Sequence, residues 1–172
     1  MAKRELPNIL ITGTPGCGKS STGEMLCKAT LLRHLELGDL VKEKELHDGW
    51  DEEYECWIIN DDKVCDELEP LMQEGGNVLC HHGSDFFPER WFDLVVVLTV
   101  DNTVLYDRLE ARAYSQKKIT ENVECEIMRV LVDEAMESYR PEIVRVLSSN
   151  TVAELMDNVE QIEAFIEEFK KK

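Results

Sequence analysis

Gly13-Thr14-Pro15-Gly16-Cys17-Gly18-Lys19-Ser20 fits the pattern G-x-x-x-x-G-K-[ST] and stands between an apolar run, Ile9-Leu10-Ile11, and a helix-like segment from Ser20 to Ala29. Strand, glycine loop and helix in that order make a phosphate-binding P-loop. A polyphosphate needs many N–H donors converging on a small volume, and glycines at 13, 16 and 18 let the backbone curl to supply them. Lys19 adds a positive charge for the terminal phosphates, Ser20 offers a hydroxyl to Mg²⁺, and the following helix points its positive end at the anion.

The 172 residues suit one α/β domain, and 1–172 is read as a single P-loop kinase-type domain. The apolar fraction is 43%, and the long apolar run Leu94 to Leu98 is far below membrane-spanning length. The N-terminal Met1-Ala2-Lys3-Arg4 has no apolar signal region, so an intracellular, soluble protein is expected, with no membrane partner. Six cysteines form neither a C-x-x-C pair nor a zinc-type set, and are read as free thiols. Cys17, just before a helix N-terminus, is expected to be a reactive thiolate. A net charge of −17 argues against a direct grip on nucleic acid and favours basic proteins as partners. Acids crowd 43–55, where seven of thirteen residues are Asp or Glu.

Along the chain, Asn8 to Thr12 reads as a buried strand, His34-Leu35-Glu36 as a short one, and Leu40 to Leu46 as a helix. Residues 36–59 then lose periodicity and read as an insertion. Asp61 or Asp62 caps a helix toward Glu74 that Pro70 must kink or restart. Val78-Leu79-Cys80 is a buried strand whose carboxyl end leads into His81-His82-Gly83-Ser84-Asp85-Phe86-Phe87-Pro88-Glu89-Arg90, a site candidate by its place at that edge. Leu94 to Leu98 reads as a central strand and Asn102 to Arg112 as a helix carrying Arg108 and Arg112 on one face. One helix from Thr120 to Ser138, with Ile127, Leu131 and Ala135 buried, is followed by a strand Ile143 to Leu147. Thr151-x-x-Glu154 is a capping box opening an amphipathic final helix. The alternation predicts a three-layer α/β fold with about five parallel strands and helices on both faces.

Gly-Thr-Pro-Gly-x-Gly-Lys-Ser, Gly38-Asp39-Leu40, Asp85-Phe86-Phe87-Pro88-Glu89-Arg90 and Arg108-Leu-Glu-x-Arg112 together resemble the adenylate kinase superfamily. His47-Asp48-Gly49-Trp50-Asp51-Glu52-Glu53-Tyr54 and Phe86 to Phe92 resemble more closely the small nuclear adenylate kinases, also described as coilin-interacting nuclear ATPases. The resemblance covers nearly the whole chain. It implies that Gly13, Gly16, Cys17, Gly18, Lys19, Ser20 and Ser21 hold ATP phosphates with Mg²⁺ on Ser20, and that Thr151, in the loop 148–151, borders adenine. It makes 36–59 a monophosphate-binding insertion with Gly38, Asp39, Lys42 and Arg90 toward AMP, and 111–121 a short lid. It assigns catalysis to Lys19, His82, Arg108 and Arg112. It further implies adenylate kinase and ATPase activity, a nuclear location and a part in small ribosomal subunit maturation through a ribosomal protein partner; with the acidic charge, a basic partner is expected, and a cytoplasmic pool and a monomer are expected as well.

Two positions depart from that pattern. Where the family shows Asp-x-His after the strand, the chain has Cys80-His81-His82, which removes a carboxylate expected near Mg²⁺ and leaves Asp39 for an outer-shell metal contact or for orienting the acceptor. Lys42 replaces an arginine, trading a bidentate fork for a point charge. His82 reads either as part of a satisfied polar loop or as a group beside the transferred phosphate, and Trp50, Trp57 and Trp91 read as packing residues. A nucleotide-driven assembly factor and a small-metabolite kinase remain as alternatives to a nucleoside-monophosphate kinase.

Overall fold

The computed structural model describes residues 3–172. Five strands form one parallel sheet: β1 (Ile9–Thr12), β2 (Arg33–Glu36), β5 (Asn77–Cys80), β6 (Leu94–Thr99) and β7 (Val144–Ser148). Their order is β2-β5-β1-β6-β7, with β1 at the centre, so the loop after it opens at the middle of the sheet's carboxyl edge. The remaining strands, β3 (His47–Asp51) and β4 (Cys56–Ile59), pair only with each other as an antiparallel hairpin.

The sheet is covered on both faces, as expected of parallel strands that are apolar throughout. Alternate residues of one strand point to opposite layers: Ile9, Ile11, Val96 and Leu98 pack with Leu26 of α1 (Lys19–Ala29), Leu105 of α4 (Asn102–Ala111), Ile119 of α5 (Gln116–Ile127) and Ile162 of α7 (Val152–Lys170). Leu10, Val95 and Val97 face the other way, onto Val41 of α2 (Leu37–Glu43), Val64, Leu68 and Met72 of α3 (Asp61–Glu74), and Ala135 of α6 (Val130–Ser138). The three-layer expectation holds, and no described helix is long and apolar enough to cross a membrane.

Several local readings are corrected. Asn60, not Asp61 or Asp62, caps α3 by accepting from the Lys63 N–H at 3.0 Å, and α3 continues through Pro70 to Glu74. The single helix expected over 120–138 is two helices, broken where Arg129 takes a left-handed φ of 55°. The first begins four residues early, because the Ser115 hydroxyl caps it. Ile127 is 56% exposed as a result, and the buried face of α6 is Val132 and Ala135, leading to Tyr139. Part of 36–59 is the β3–β4 hairpin, whose tip is closed by Asp51 Oδ1 accepting from the Glu53 and Tyr54 N–H groups. Thr151 does cap α7, accepting from the Glu154 N–H, but the Glu154 carboxylate reaches the Asn150 N–H rather than closing the box on Thr151.

Candidate functional site

The P-loop has the tight turn its glycines foretold. At Gly13, φ is 146° and an added Cβ would stand 2.7 Å from the Leu98 carbonyl oxygen, so only glycine fits there. Gly18, at φ 93°, turns the chain into α1, which opens without a side-chain cap or an acid in its first turn. Its leading N–H groups are left to face an anion. Lys19 Nζ lies over the loop, donating to the carbonyls of Gly13 at 2.8 Å and Thr14 at 3.3 Å.

Two side chains brace this loop from behind, and a third fixes the loop beside it. Glu126 of α5 accepts from the Thr14 hydroxyl at 2.7 Å and from the Val100 N–H at 3.0 Å, tying α5 to the loop. Arg108 of α4 donates to the carbonyls of Gly16, Ser149 and Asn150 at 2.9–3.1 Å, joining the P-loop to the 148–151 loop. Thr12 donates to the His82 carbonyl at 2.7 Å, fixing the start of the loop after β5.

Two of the cavities on the carboxyl edge meet at Lys19. The larger, about 510 Å³, runs from Lys19 and Ser20 toward α5 and is walled by Tyr54, Arg112, Tyr114 and Lys118. The smaller, about 320 Å³, runs toward the hairpin and is walled by Gly38, Val41, Trp50, Trp57 and Ile59. Lys19, Glu36, Cys56 and His82 line both. Trp50 is 44% exposed here, so it forms a cleft wall and is not core packing as expected, whereas Trp91 is 1% exposed. Trp57 crosses the two roles: stacked on His47 at 4.0 Å and partly buried, it also faces the cleft.

His81 is buried and His82 keeps a face open to the clefts. Burial, the neighbouring imidazole and Lys19 hold His81 well below its ordinary range. Crowding by protein and then Lys19 and Lys118 draw His82 down toward about 4, although its open face lets water moderate the shift. Both are neutral at physiological pH. His82 therefore offers the clefts a hydrogen bond and not a charge.

Cys80 takes the position of the missing strand-end acid, but a carboxylate is present one strand away. Parallel pairing sets Glu36, the last residue of β2, beside Cys80, and Glu36 Oε2 accepts from the Ser20 hydroxyl at 2.9 Å. Serine hydroxyl and carboxylate make an all-oxygen pair, the donor set that suits Mg²⁺. Asp39 lies further out, exposed beside Gly38 in a shallow cavity that Ser20, Glu24, His34 and Glu36 also line. Glu36, Glu126, Lys118, Tyr54 and Tyr114 were not assigned to the site from the sequence. For Glu36 the signal was there: an acid at the carboxyl end of a parallel strand.

The structure does not bring every expected residue to the clefts. The chain after His82 turns back to the amino-terminal edge of the sheet, carrying Arg90 with it, where Arg90 forms a fork on Glu69 at 2.6 and 2.9 Å. Lys42 is exposed on α2 and lines neither cavity. Arg108 directs its guanidinium to the carbonyl oxygens of Gly16, Ser149 and Asn150, which makes it a brace between the two loops. Cys17 is fully buried, its Sγ against the would-be Cβ of Gly13, and burial pushes its thiol up, so the expected thiolate is overturned. Lys19, Ser20, His82 and Arg112 do converge. Ser21 is exposed in the first turn of α1, and Thr151 is exposed at the start of α7.

Fold and loop together define a P-loop kinase-type nucleotide-binding protein. Residues 9–129 match the family described as AAA domain. Shikimate kinase from Bacteroides thetaiotaomicron superposes with a TM-score of 0.65 over 94% of this chain and 99% of that one, and shikimate kinase from Acinetobacter baumannii with 0.61 over 97% and 96%. At 15% and 18% identity these share the fold alone.

The sequence relatives are much nearer. The adenylate kinase isoenzyme 6 homolog of Dictyostelium discoideum is 52% identical over 99% of this chain and 97% of its own. That of Drosophila melanogaster is 45% identical over 96% and 95%, and the homolog FAP7 of Saccharomyces cerevisiae 46% over 95% and 84%. The chain belongs to the adenylate kinase isoenzyme 6 family.

Proposed function

We propose that the protein transfers the γ-phosphate of ATP to a nucleoside monophosphate, AMP first among them. The observation that carries this reading is the pair of clefts meeting at Lys19, Glu36 and His82: a donor side toward α5 and an acceptor side toward the hairpin. ATP phosphates would lie on the P-loop N–H groups and Lys19, with Arg112 and Lys118 adding charge from the α5 side. Trp50, Val41 and Ile59 offer the acceptor base an apolar, partly aromatic slot. Ser20 and Glu36 would hold Mg²⁺, which supplies charge neutralisation between the phosphates. Neutral His82, at the junction, can orient the attacking oxygen by a hydrogen bond. A coupled assay with and without AMP tests this: the kinase makes two ADP for each ATP and AMP consumed. ADP production indifferent to AMP would reject it.

A second activity, ATP hydrolysis coupled to a basic ribosomal protein during small-subunit maturation in nucleus and cytoplasm, is favoured by one contact. Lys117 of α5 pairs with Glu53 at the hairpin tip at 2.8 Å, so the acidic hairpin is linked to the helix that also holds the P-loop through Glu126. A cation bound to the acids would compete with Lys117 and be felt at the nucleotide. Asp51 closes the turn and Asp48 bonds Asn60, so the informative reversals are Glu43→Lys with Glu52→Lys, whose carboxylates make no hydrogen bond or ion pair among the described residues. Weaker, salt-sensitive binding of a basic ribosomal protein at unchanged ATP affinity is expected by calorimetry. Partner binding blind to both salt and reversal would reject this reading.

A further inference from the structure

We propose that His34, Glu36 and Cys80 form a binding site for a borderline-soft divalent cation of the zinc class, behind the P-loop and sharing Glu36 with the all-oxygen pair that faces the nucleotide. The pleat builds it. Glu36 is paired in register with Cys80, and His34, two residues back on the same strand, points to the same side of the sheet. One atom from each lies within 4.8 Å of the other two. Cys80 Sγ is 3.5 Å from His34 Nε2, and His34 Nε2 is 3.3 Å from Glu36 Oε2. A tetrahedral zinc with bonds of about 2.3 Å to sulfur and about 2.0 Å to nitrogen or oxygen sets its ligand atoms roughly 3.3–3.6 Å apart. Two of the three spacings, 3.5 and 3.3 Å, fall in that range, and the third, Cys80 to Glu36, lies within 4.8 Å.

A hydrogen-bonded relay explains the geometry less well. In a Cys-His-acid relay the two partners use different ring nitrogens, but here thiol and carboxylate converge on the same Nε2. One nitrogen cannot accept from the thiol and donate to the carboxylate at once; without a cation the thiol has the Lys19 carbonyl at 3.6 Å to donate to, whereas a cation engages all three side chains together. The helix above leaves room for it: Gly23 of α1 has no side chain, and a Cβ there would lie 2.6 Å from Cys80 Sγ and 3.0 Å from His34 Nε2. Access is through the shallow cavity of about 620 Å³ lined by Ser20, Glu24, His34, Glu36 and Asp39, whose acids would draw a cation inward. Sulfur and nitrogen select against Mg²⁺, which keeps to oxygen. Binding would form Sγ, Nε2 and Oε2 bonds to the metal and release the Cys80 thiol proton to solvent.

The test uses the full chain, stripped with a chelator under a non-thiol reductant, and cobalt(II) as a spectroscopic probe. One equivalent of Co²⁺ should give a thiolate-to-cobalt charge-transfer band and strong tetrahedral d–d absorption, both removed by one equivalent of Zn²⁺. Cys80→Ser and His34→Gln should each lose the charge-transfer band or weaken Co²⁺ binding at least ~100-fold, the upper end of what loss of a mere supporting partner costs. Cys65→Ser should keep both features. Should Cys80→Ser fail to fold, His34→Gln, on the partly exposed edge strand, carries the same reading, and Gly23→Ala should block the site sterically. No band in the wild type, or a full band in Cys80→Ser or His34→Gln, overturns the proposal.

Discussion

The two ends of the same five strands are built on opposite principles. At the amino-terminal edge the buried polar side chains are closed on one another. Asn8, fully buried, donates to the carbonyls of Met72 and Trp91 and accepts from the Asn77 backbone and side-chain N–H groups at 2.7–3.2 Å. Arg4 forks onto Asp93, which also accepts from the Asn8 N–H, and Glu69 takes the Arg90 fork together with the Trp91 indole N–H. At the carboxyl edge the opposite holds: the first turn of α1 has no cap, the Arg112 side chain has no hydrogen-bond or ion-pair partner among the described residues, Lys118 meets only the face of Tyr114 at 4.3 Å, and Glu36 is divided between Ser20 and His34. Closed networks hold the sheet. Open valences wait for ligands, at the end where strand–helix loops converge.

The comparison is broken most directly at its two extremes. Lys19→Met should lower phosphoryl transfer by about 10²–10³-fold, the scale of one lost charge-stabilising donor, with melting nearly unchanged. Undiminished ADP production would show that the open end is not the working end. Asn8→Ala should do the reverse: about 3 kcal/mol of stability lost, because several buried partners are orphaned at once, with KM and kcat unaltered. A denaturant titration beside a rate measurement checks both; a stability loss under about 1 kcal/mol would deny the closed network its role.

Acid sharpens the contrast. His81 is buried with its pKa held well below the ordinary histidine value by desolvation first, then by His82 and Lys19. In the unfolded chain it titrates near about 6.5, so the unfolded state binds protons that the folded state refuses. The stability is complete above that value and is lost as pH falls below it, until the depressed folded pKa is reached. Melting temperatures between pH 7.5 and 5 should therefore fall less steeply for His81→Gln than for wild type; equal slopes would mean that His81 charges freely in place.

Arg108 tests the boundary between the two regimes, since it sits at the open edge but is itself satisfied. Its three carbonyl contacts hold two loops together and none faces the larger cleft. Arg108→Ala should raise KM for ATP about tenfold with kcat within a few-fold, the pattern of lost binding and not of lost transition-state charge. A thousandfold fall in kcat at constant KM would return it to the phosphate.

Much of the open end was legible from residues 8–20, because a P-loop constrains glycine positions, the strand before it and the helix after it all at once. The parallel sheet followed from continuous apolar runs such as Leu94 to Leu98, which supply both layers. What escaped was set by pairing between distant segments. Glu36 becomes a site carboxylate only through its register with Cys80, Trp50 becomes a wall only once the hairpin folds over Lys19, and the break at Arg129 is a left-handed turn that neither glycine nor proline announces. Cys17 misled for a related reason: its backbone belongs to the anion loop while its side chain belongs to the core.

Arg90 is the smallest effect and the one that best separates position in sequence from position in the fold. It lies in the stretch that most strongly marks the family, yet that stretch leaves the carboxyl edge after His82 and delivers Arg90 to the closed end. There the Arg90 fork, and then the Trp91 and Gln73 donors, hold the Glu69 carboxyl down at about 2. A carboxyl depressed in the folded state stabilises fully above its unfolded pKa and loses that contribution as pH falls toward about 2. The Arg90 side chain is 48% exposed, so solvent screening leaves about 1 kcal/mol or less. Arg90→Ala should cost that much near neutral pH, cost less once Glu69 is protonated in the wild type, and leave KM for AMP and kcat unchanged. A KM for AMP raised tenfold or more by Arg90→Ala would mean that the chain after β5 can bring Arg90 back to the acceptor cleft, and the division between the two edges would have to be redrawn.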